Sequence, residues 1–331
     1  MVLLSNNSDS VRGIIDWLLD GDVSVRYQTI RDLLSVAPET LISLHQLIGS
    51  DGWGKQFLEK RDAITGMWGN GSYSPKWIST HYTLLDLKNI GLAGETGWYR
   101  GSAEVLLQAM WHNNGEVRKK RYQDMCIAGM LLSICCHAKI NNTAISEIIN
   151  YILEHQFTDG GWNCRWQNGA VHSSLHTTIS VLEGLQDVQR NGYSERTCEI
   201  VKAAEKGREF ILAHHFFRSS RTGEVIHEKF LQLSFPCRWY YDILRALDHF
   251  RDAGAPYDTR MDDALDSITA KMRTNDRWPV QHKHPGLVHF DMERTGSDSR
   301  WNTLRALRVL RQYRPELYTA LIARNTTEHH L

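Results

Sequence analysis

Apolar residues recur along this chain at the spacing of a single helical face, in six stretches built on a Leu-x-x-Leu core. They are Ile30-Arg31-Asp32-Leu33, Leu84-Leu85-Asp86-Leu87, Leu131-Leu132-Ser133-Ile134, Leu182-Glu183-Gly184-Leu185, Leu244-Arg245-Ala246-Leu247 and Leu304-Arg305-Ala306-Leu307. In the fourth, Leu175, Ile179, Leu182 and Leu185 fall at i, i+4, i+7 and i+10, one face of a helix. Ser173 and Ser174 precede it and can cap its free amides. A second kind of amphipathic stretch alternates with the first, as in Glu147 to Leu153 and Ala204 to Leu212. Between the two kinds lies a Gly-x-Trp turn or a worn copy of it. The copies are Gly66-Met67-Trp68, Gly115-Glu116-Val117, Gly160-Gly161-Trp162, Gly223-Glu224-Val225 and Asp276-Arg277-Trp278, at steps of 49, 45, 63 and 53 residues. Each unit therefore reads outer helix, turn, inner helix. Six anchors against five turns give six units, the first truncated at its front.

Only seven Pro and no alternating apolar and polar runs leave little room for a sheet. Hairpins that cannot bury their faces alone must stack on neighbours, and a closed ring removes the exposed ends. The pattern predicts an all-α fold, an α/α toroid of six helical hairpins. Its inner helices should begin near Tyr27, His81, Cys126, Ser174, Trp239 and Trp301. One domain over residues 1–331 is expected, with repeats over about 14–312. Length alone does not argue for a split, because closed repeat folds run long as one domain.

The third turn, Gln156-Phe157-Thr158-Asp159-Gly160-Gly161-Trp162, is a complete Gln-x-x-x-Gly-x-Trp (QW) motif. With its outer helix and Thr-rich inner helix, it resembles the repeats of squalene cyclases and protein prenyltransferase β-subunits. More particularly, the chain looks like the stand-alone, single-toroid squalene-cyclase-like proteins. The resemblance implies inner helices around an apolar cavity that accepts isoprenoid chains.

Composition narrows the partners. Lys plus Arg equal Asp plus Glu at 38 each, so nothing global points to nucleic acid or an anionic membrane. Eleven Trp and twelve Tyr suit a large core or an apolar cavity. The longest apolar runs, such as Met130-Leu131-Leu132, fall far short of a membrane span. Residues Met1 to Ser10 carry no basic segment ahead of an apolar one, so no signal peptide is expected. Six Cys without CxxC spacing are read as reduced thiols of a cytoplasmic protein.

The chemistry that the resemblance implies is incomplete. The Asp-x-Asp-Asp motif of protonating cyclases is absent, as is the Asp-x-Cys zinc pair of prenyltransferases. Asp262-Asp263-Ala264-Leu265-Asp266 matches a Mg²⁺-binding Asp-Asp-x-x-Asp pattern, but it opens an outer helix, where acids suit the helix dipole. Cys164, His172 and His176 are the best zinc candidates, with the two His at i, i+4. The plainer reading is a packed Cys and two hydrogen-bonded His. Cys135-Cys136-His137 invites comparison with lanthionine cyclases but lacks their Cys-His-Gly context and reads better as a buried helix end.

The last connection is polar, with His282, His284, His289, Asp291, Glu293, Asp298 and Arg300. His289 and Asp291 are the candidate acid and base. Arg precedes an aromatic ring at Arg26-Tyr27, Arg238-Trp239 and Arg300-Trp301. These arginines could gather a diphosphate, or repeat one structural contact. Trp77, His81, Tyr240, Arg238, Arg300 and Trp301 are the candidate substrate-binding residues. The expected function is binding of an isoprenoid or other apolar small molecule, with cyclisation or transfer. The alternatives are a non-catalytic toroid holding a hydrophobic ligand or peptide and, more weakly, zinc-dependent thiol chemistry of the lanthionine-cyclase type.

Overall fold

Three tryptophans of the repeat carry the same pair of hydrogen bonds, and those bonds set the hairpin. Trp68, Trp162 and Trp278 donate their indole N–H to the carbonyls of Phe57, Ile152 and Ile268, at 2.7, 2.8 and 2.7 Å. Their backbone N–H groups donate to the hydroxyls of Thr80, Thr178 and Thr303, at 3.0, 3.1 and 2.9 Å. Each indole thus satisfies a carbonyl at the end of the preceding helix, and each threonine ties the turn to the helix that follows. All three rings are fully buried. The worn copies at Gly115 and Gly223 have no Trp to do this, and Gly115 lies outside the described residues.

The computed structural model describes residues 13–34, 36–113, 116–117, 120–141 and 143–327. In chain order the helices are α1 (Ile14–Leu19), α2 (Val23–Leu33), α3 (Pro38–Leu47), α4 (Gly52–Leu58), α5 (Thr80–Ile90), α6 (Gly97–Leu107), α7 (Met125–His137), α8 (Thr143–Glu154), α9 (Leu175–Arg190), α10 (Thr197–Ala213), α11 (Ile243–Asp252), α12 (Asp262–Thr269), α13 (Arg300–Tyr313) and α14 (Pro315–Thr327). The fold is all-α. Its extended pairing, among the described residues, is limited to two-residue ladders, β1 (Glu116–Val117) with β2 (Lys120–Arg121) and β3 (Trp278–Pro279) with β4 (Asp298–Ser299), and two isolated bridges.

The helices containing the six anchors are α2, α5, α7, α9, α11 and α13. They are the more enclosed set: every residue of α7 from Met125 to Cys136 is buried, and so is α13 from Trp301 to Leu310. A helix enclosed on all sides needs apolar or paired residues all round. α7 packs on α5 and α9, and α13 packs on α11, α1 and α2, which brings helices from near the two ends of the described chain together. α7 and α9 come into close backbone contact at Gly129 and Gly184, where a Cβ on Gly184 would meet the Gly129 carbonyl oxygen at 2.4 Å. The glycine inside the fourth anchor is therefore a helix-crossing point.

The complete turn shows why its sequence is Gln-x-x-x-Gly-x-Trp. Gly160 has φ +96°, and a Cβ there would lie 2.6 Å from the Lys206 carbonyl of α10. Gln156 Nε2 donates to the carbonyls of Gly160 at 2.7 Å and Ala203 at 2.8 Å, joining the turn to the next outer helix. Gln156→Ala is expected to lower unfolding free energy by about 1–3 kcal/mol, because carbonyls are left without their donor. Urea denaturation measures this; a change inside error would mean that the glutamine does not hold the turn.

Inner helices start within one residue of expectation at α5, α7, α9 and α13. α2 begins four residues earlier than Tyr27, and α11 four residues later than Trp239. Aspartates decide both: Asp22 accepts from Ser24 N, and Asp242 accepts from Arg245 N, at 2.8 Å each. No helix among the described residues is long and apolar enough to cross a membrane.

Candidate functional site

A cavity of about 380 Å³ opens among α2, α5, α9, α11 and α13, chiefly along their C-terminal halves. Its wall is charged, where the resemblance led us to expect an apolar one. Eight Lys and Arg side chains line it against five carboxylates, and a sixth carboxylate, Asp32, pairs with Arg31 and Arg308 from just behind the wall, leaving an excess of two positive charges with His neutral.

The charges alternate in sign around the wall and join neighbouring helices. Arg308 of α13 meets Asp32 of α2 at 2.6 Å, and Arg305 of α13 meets Asp248 of α11 at 3.3 Å. Arg245 of α11 meets Glu183 of α9 at 2.6 Å, and Arg190 of α9 meets Asp252 of α11 at 2.5 Å. Lys88 of α5 meets Asp187 of α9 at 2.6 Å, and Ser133 of α7 donates to the same carboxylate, also at 2.6 Å. Arg238, just before α11, reaches Asp86 of α5 at 2.6 Å.

Burial would raise the pKa of Asp248, but Arg251, Arg308 and Arg305 hold it down to about 2. Burial prevails at Asp86, whose pKa is pushed up to about 6 against the pull of Arg238. Burial also keeps the wall's His137 and His249 neutral, pulling each down to about 4. At the rim, the side chains of Arg31 and Arg190 are 42% and 52% exposed, and each also holds one carboxylate, Asp32 for Arg31 at 2.6 Å and Asp252 for Arg190. An apolar patch, made of Trp301 stacked on Phe235 at 5.0 Å together with Met292, interrupts the charges.

The candidate substrate-binding residues divide between two places. Arg238 and Trp301 line the cavity. Trp77, Tyr240, His176 and His284 form one aromatic cluster beside the starts of the inner helices, with Tyr240 stacked on His284 at 3.7 Å and edge-on to Trp77 at 6.0 Å. Trp77 is 2% exposed, and its indole donates to the Pro285 carbonyl, so it serves as packing. His81 is wholly enclosed against Tyr73 and Tyr82, and burial draws its pKa down to about 3. Arg300 does not join Arg238. Its guanidinium lies over Trp17 and donates to the Trp17 carbonyl at 2.9 Å, holding α1 to α13.

The acid and base candidates are not joined. His289 Nε2 lies 3.0 Å from the Thr83 hydroxyl with its ring edge-on to Phe57, whereas Asp291 is exposed and bonded to Lys283. The zinc set is not assembled either. His176 Nδ1 accepts the amide N–H of Tyr241 at 2.8 Å, His172 is exposed, and Cys164 faces Cys126. Among the described residues, no group of three or more His, Cys, Asp or Glu side chains is placed to hold a metal ion. Asp262 and Asp263 are held by Arg314 and Arg218 at the outer surface, with Asp266 also near Arg314. Cys135 and Cys136 are buried in α7, while His137 bonds the Leu92 carbonyl at 2.8 Å.

The wall residues that sequence reasoning missed were inside the anchors. Arg31, Asp86, Glu183, Arg245 and Arg305 all occupy a middle position of a Leu-x-x-Leu quartet. A charged residue recurring between core leucines was the available signal. No protein family, no curated protein and no solved structure matches the chain.

Proposed function

We propose that this chain is a closed α/α toroid of six hairpins whose central cavity binds a small anionic molecule carrying phosphate or carboxylate groups. One observation carries the reading: the wall, with the Asp32 carboxylate that pairs with it, has two more positive than negative charges, and two of its arginines stand partly exposed at the rim. Guanidinium groups in a partly desolvated cleft match carboxylate and phosphate geometry, and the field of the cleft draws anions in. The packing of α1 and α14 against each other, and of α13 against α2, supports ring closure. The squalene-cyclase and prenyltransferase resemblance fits that architecture, but an uncharged isoprenoid is poorly matched to this wall.

An isoprenoid diphosphate is the second reading. The Trp301, Phe235 and Met292 patch beside the arginines favours it, offering apolar contact to the first carbons after the head group. Titration calorimetry with inorganic diphosphate, farnesyl diphosphate and farnesol separates these readings. The anion reading expects both diphosphates to bind, with affinity falling as salt rises, and farnesol not to bind. Appreciably tighter binding of the farnesyl compound favours the second reading. Arg190→Gln should weaken binding about tenfold, the loss of one charge-assisted contact. Farnesol binding with no response to diphosphate would restore the apolar-ligand reading.

A further inference from the structure

Away from the cavity, two cysteines that lie far apart in sequence come into contact. Cys126 is the second residue of α7, and Cys164 opens the short 3-10 turn that follows Trp162. Their Sγ atoms lie 2.9 Å apart. The Cys126 amide N–H, one of the free donors at the start of α7, points at Cys164 Sγ at 3.2 Å. The Thr177 hydroxyl donates to the same sulfur at 3.4 Å. Two donors at one sulfur, one of them a helix N-terminus, stabilise a thiolate there. The surroundings of the two thiols differ: Cys164 is partly exposed, and Cys126 is buried. One reachable sulfur that holds negative charge well, beside one sheltered partner, is the arrangement that thiol–disulfide exchange requires.

We propose that Cys126 and Cys164 form a reversible dithiol–disulfide site, with Cys164 as the attacking thiol, Cys126 as the resolving thiol and a low-molecular-weight disulfide as the oxidant. The Cys164 thiolate attacks one sulfur of the small disulfide. A mixed disulfide forms on Cys164, and the first small thiolate leaves. Cys126 then gives up its proton to solvent and attacks Cys164 Sγ, expelling the second small thiolate. Two electrons pass from the protein to the small disulfide, which becomes two thiols, and one intramolecular bond is made. Closing that bond moves the sulfurs together by under about 1 Å, to the usual S–S length. The disulfide would link the start of α7 to the segment between the complete repeat turn and α9.

The test is equilibration of the folded protein in glutathione buffers from reducing to oxidising, with acid quench, alkylation and peptide mapping. Cys126 and Cys164 should lose alkylation together, in a single two-electron transition, and appear as one cross-linked peptide. Exposed Cys198 serves as an internal reference for simple accessibility. Cys126→Ser should stop the sequence at a glutathione adduct on Cys164. Cys164→Ser should leave Cys126 reduced. Circular dichroism on each variant confirms that the helices remain. The proposal is overturned if Cys164 stays alkylatable in the most oxidising buffer while Cys198 takes up glutathione. It is also overturned if the cross-link appears only after denaturation, or if Cys126→Ser carries no adduct on Cys164.

Discussion

Replacing Trp162 by alanine is expected to cost about 3–5 kcal/mol of folding stability, the range for a large buried aromatic. The ring is 0% exposed, and its indole N–H satisfies the Ile152 carbonyl at 2.8 Å, so the substitution leaves both a cavity and a buried acceptor without its donor. Trp162→Phe separates the two effects, since it keeps most of the volume and loses only the hydrogen bond; about 1–2 kcal/mol is expected. Trp278→Ala should behave like Trp162→Ala, because it makes the same two bonds with Ile268 and Thr303. Ile64, 96% exposed, is the control, with Ile64→Ala expected within about 0.5 kcal/mol of the parent. Urea unfolding measures all four. A cost below about 1 kcal/mol for both tryptophans would mean that the repeated bonds do not hold the hairpins together.

Asp248→Asn is the second large effect, about 3 kcal/mol at neutral pH. Removing one member of a buried ion-pair cluster leaves part of the remaining charge without compensation; Arg308 keeps Asp32 and Arg251 keeps Asp252, but Arg305 loses its carboxylate. Here the groups left behind are Arg305 at 3.3 Å, Arg251 at 2.8 Å and Arg308 at 3.6 Å. The pH dependence follows from the sign of the shift. Asp248 has a folded pKa held down to about 2, so its contribution is full above the unfolded value near 3.9 and is lost as pH falls toward 2. The variant should lack that acid-side loss. The buried histidines act in the same direction at higher pH. His137, His249 and His289, each drawn down to about 4 by burial, are neutral when folded, so stability declines as pH falls from about 6.5. Parent and variant should therefore show parallel loss between about pH 6.5 and 4 and converge below it, as the parent alone loses the Asp248 contribution. Urea titrations at several pH values test this, and parallel curves down to pH 2 would contradict it.

The helices were legible because their signals are local. The apolar spacing of each anchor lies within the helix it marks, so α5, α7, α9 and α13 start within one residue of where the sequence puts them. At α2 and α11, the starts expected near Tyr27 and Trp239 were each off by four residues, because the boundaries are fixed by the caps at Asp22 and Asp242. The cavity was half legible. Its lining sat inside the anchors, but a leucine quartet reads as packing, and only the arrangement of the helices shows that Glu183 meets Arg245 across 62 residues. The Cys126–Cys164 contact spans 38 residues and has no spacing motif to announce it. The zinc reading grouped Cys164 with His172 and His176, which the fold does not bring together. His176 turns to the Tyr241 amide, and the neighbour of Cys164 is a second sulfur.

The central claim is that the cavity selects an anion, and locating a heavy oxyanion in a crystal tests it most directly. Crystals soaked in tungstate should show an anomalous peak inside the cavity, within contact distance of Arg31, Arg190 or Arg251. The peak should weaken when excess inorganic diphosphate is added. A cavity without tungstate, with peaks only on the outer surface, or one filled by a copurified apolar chain along Trp301 and Phe235, would contradict the account.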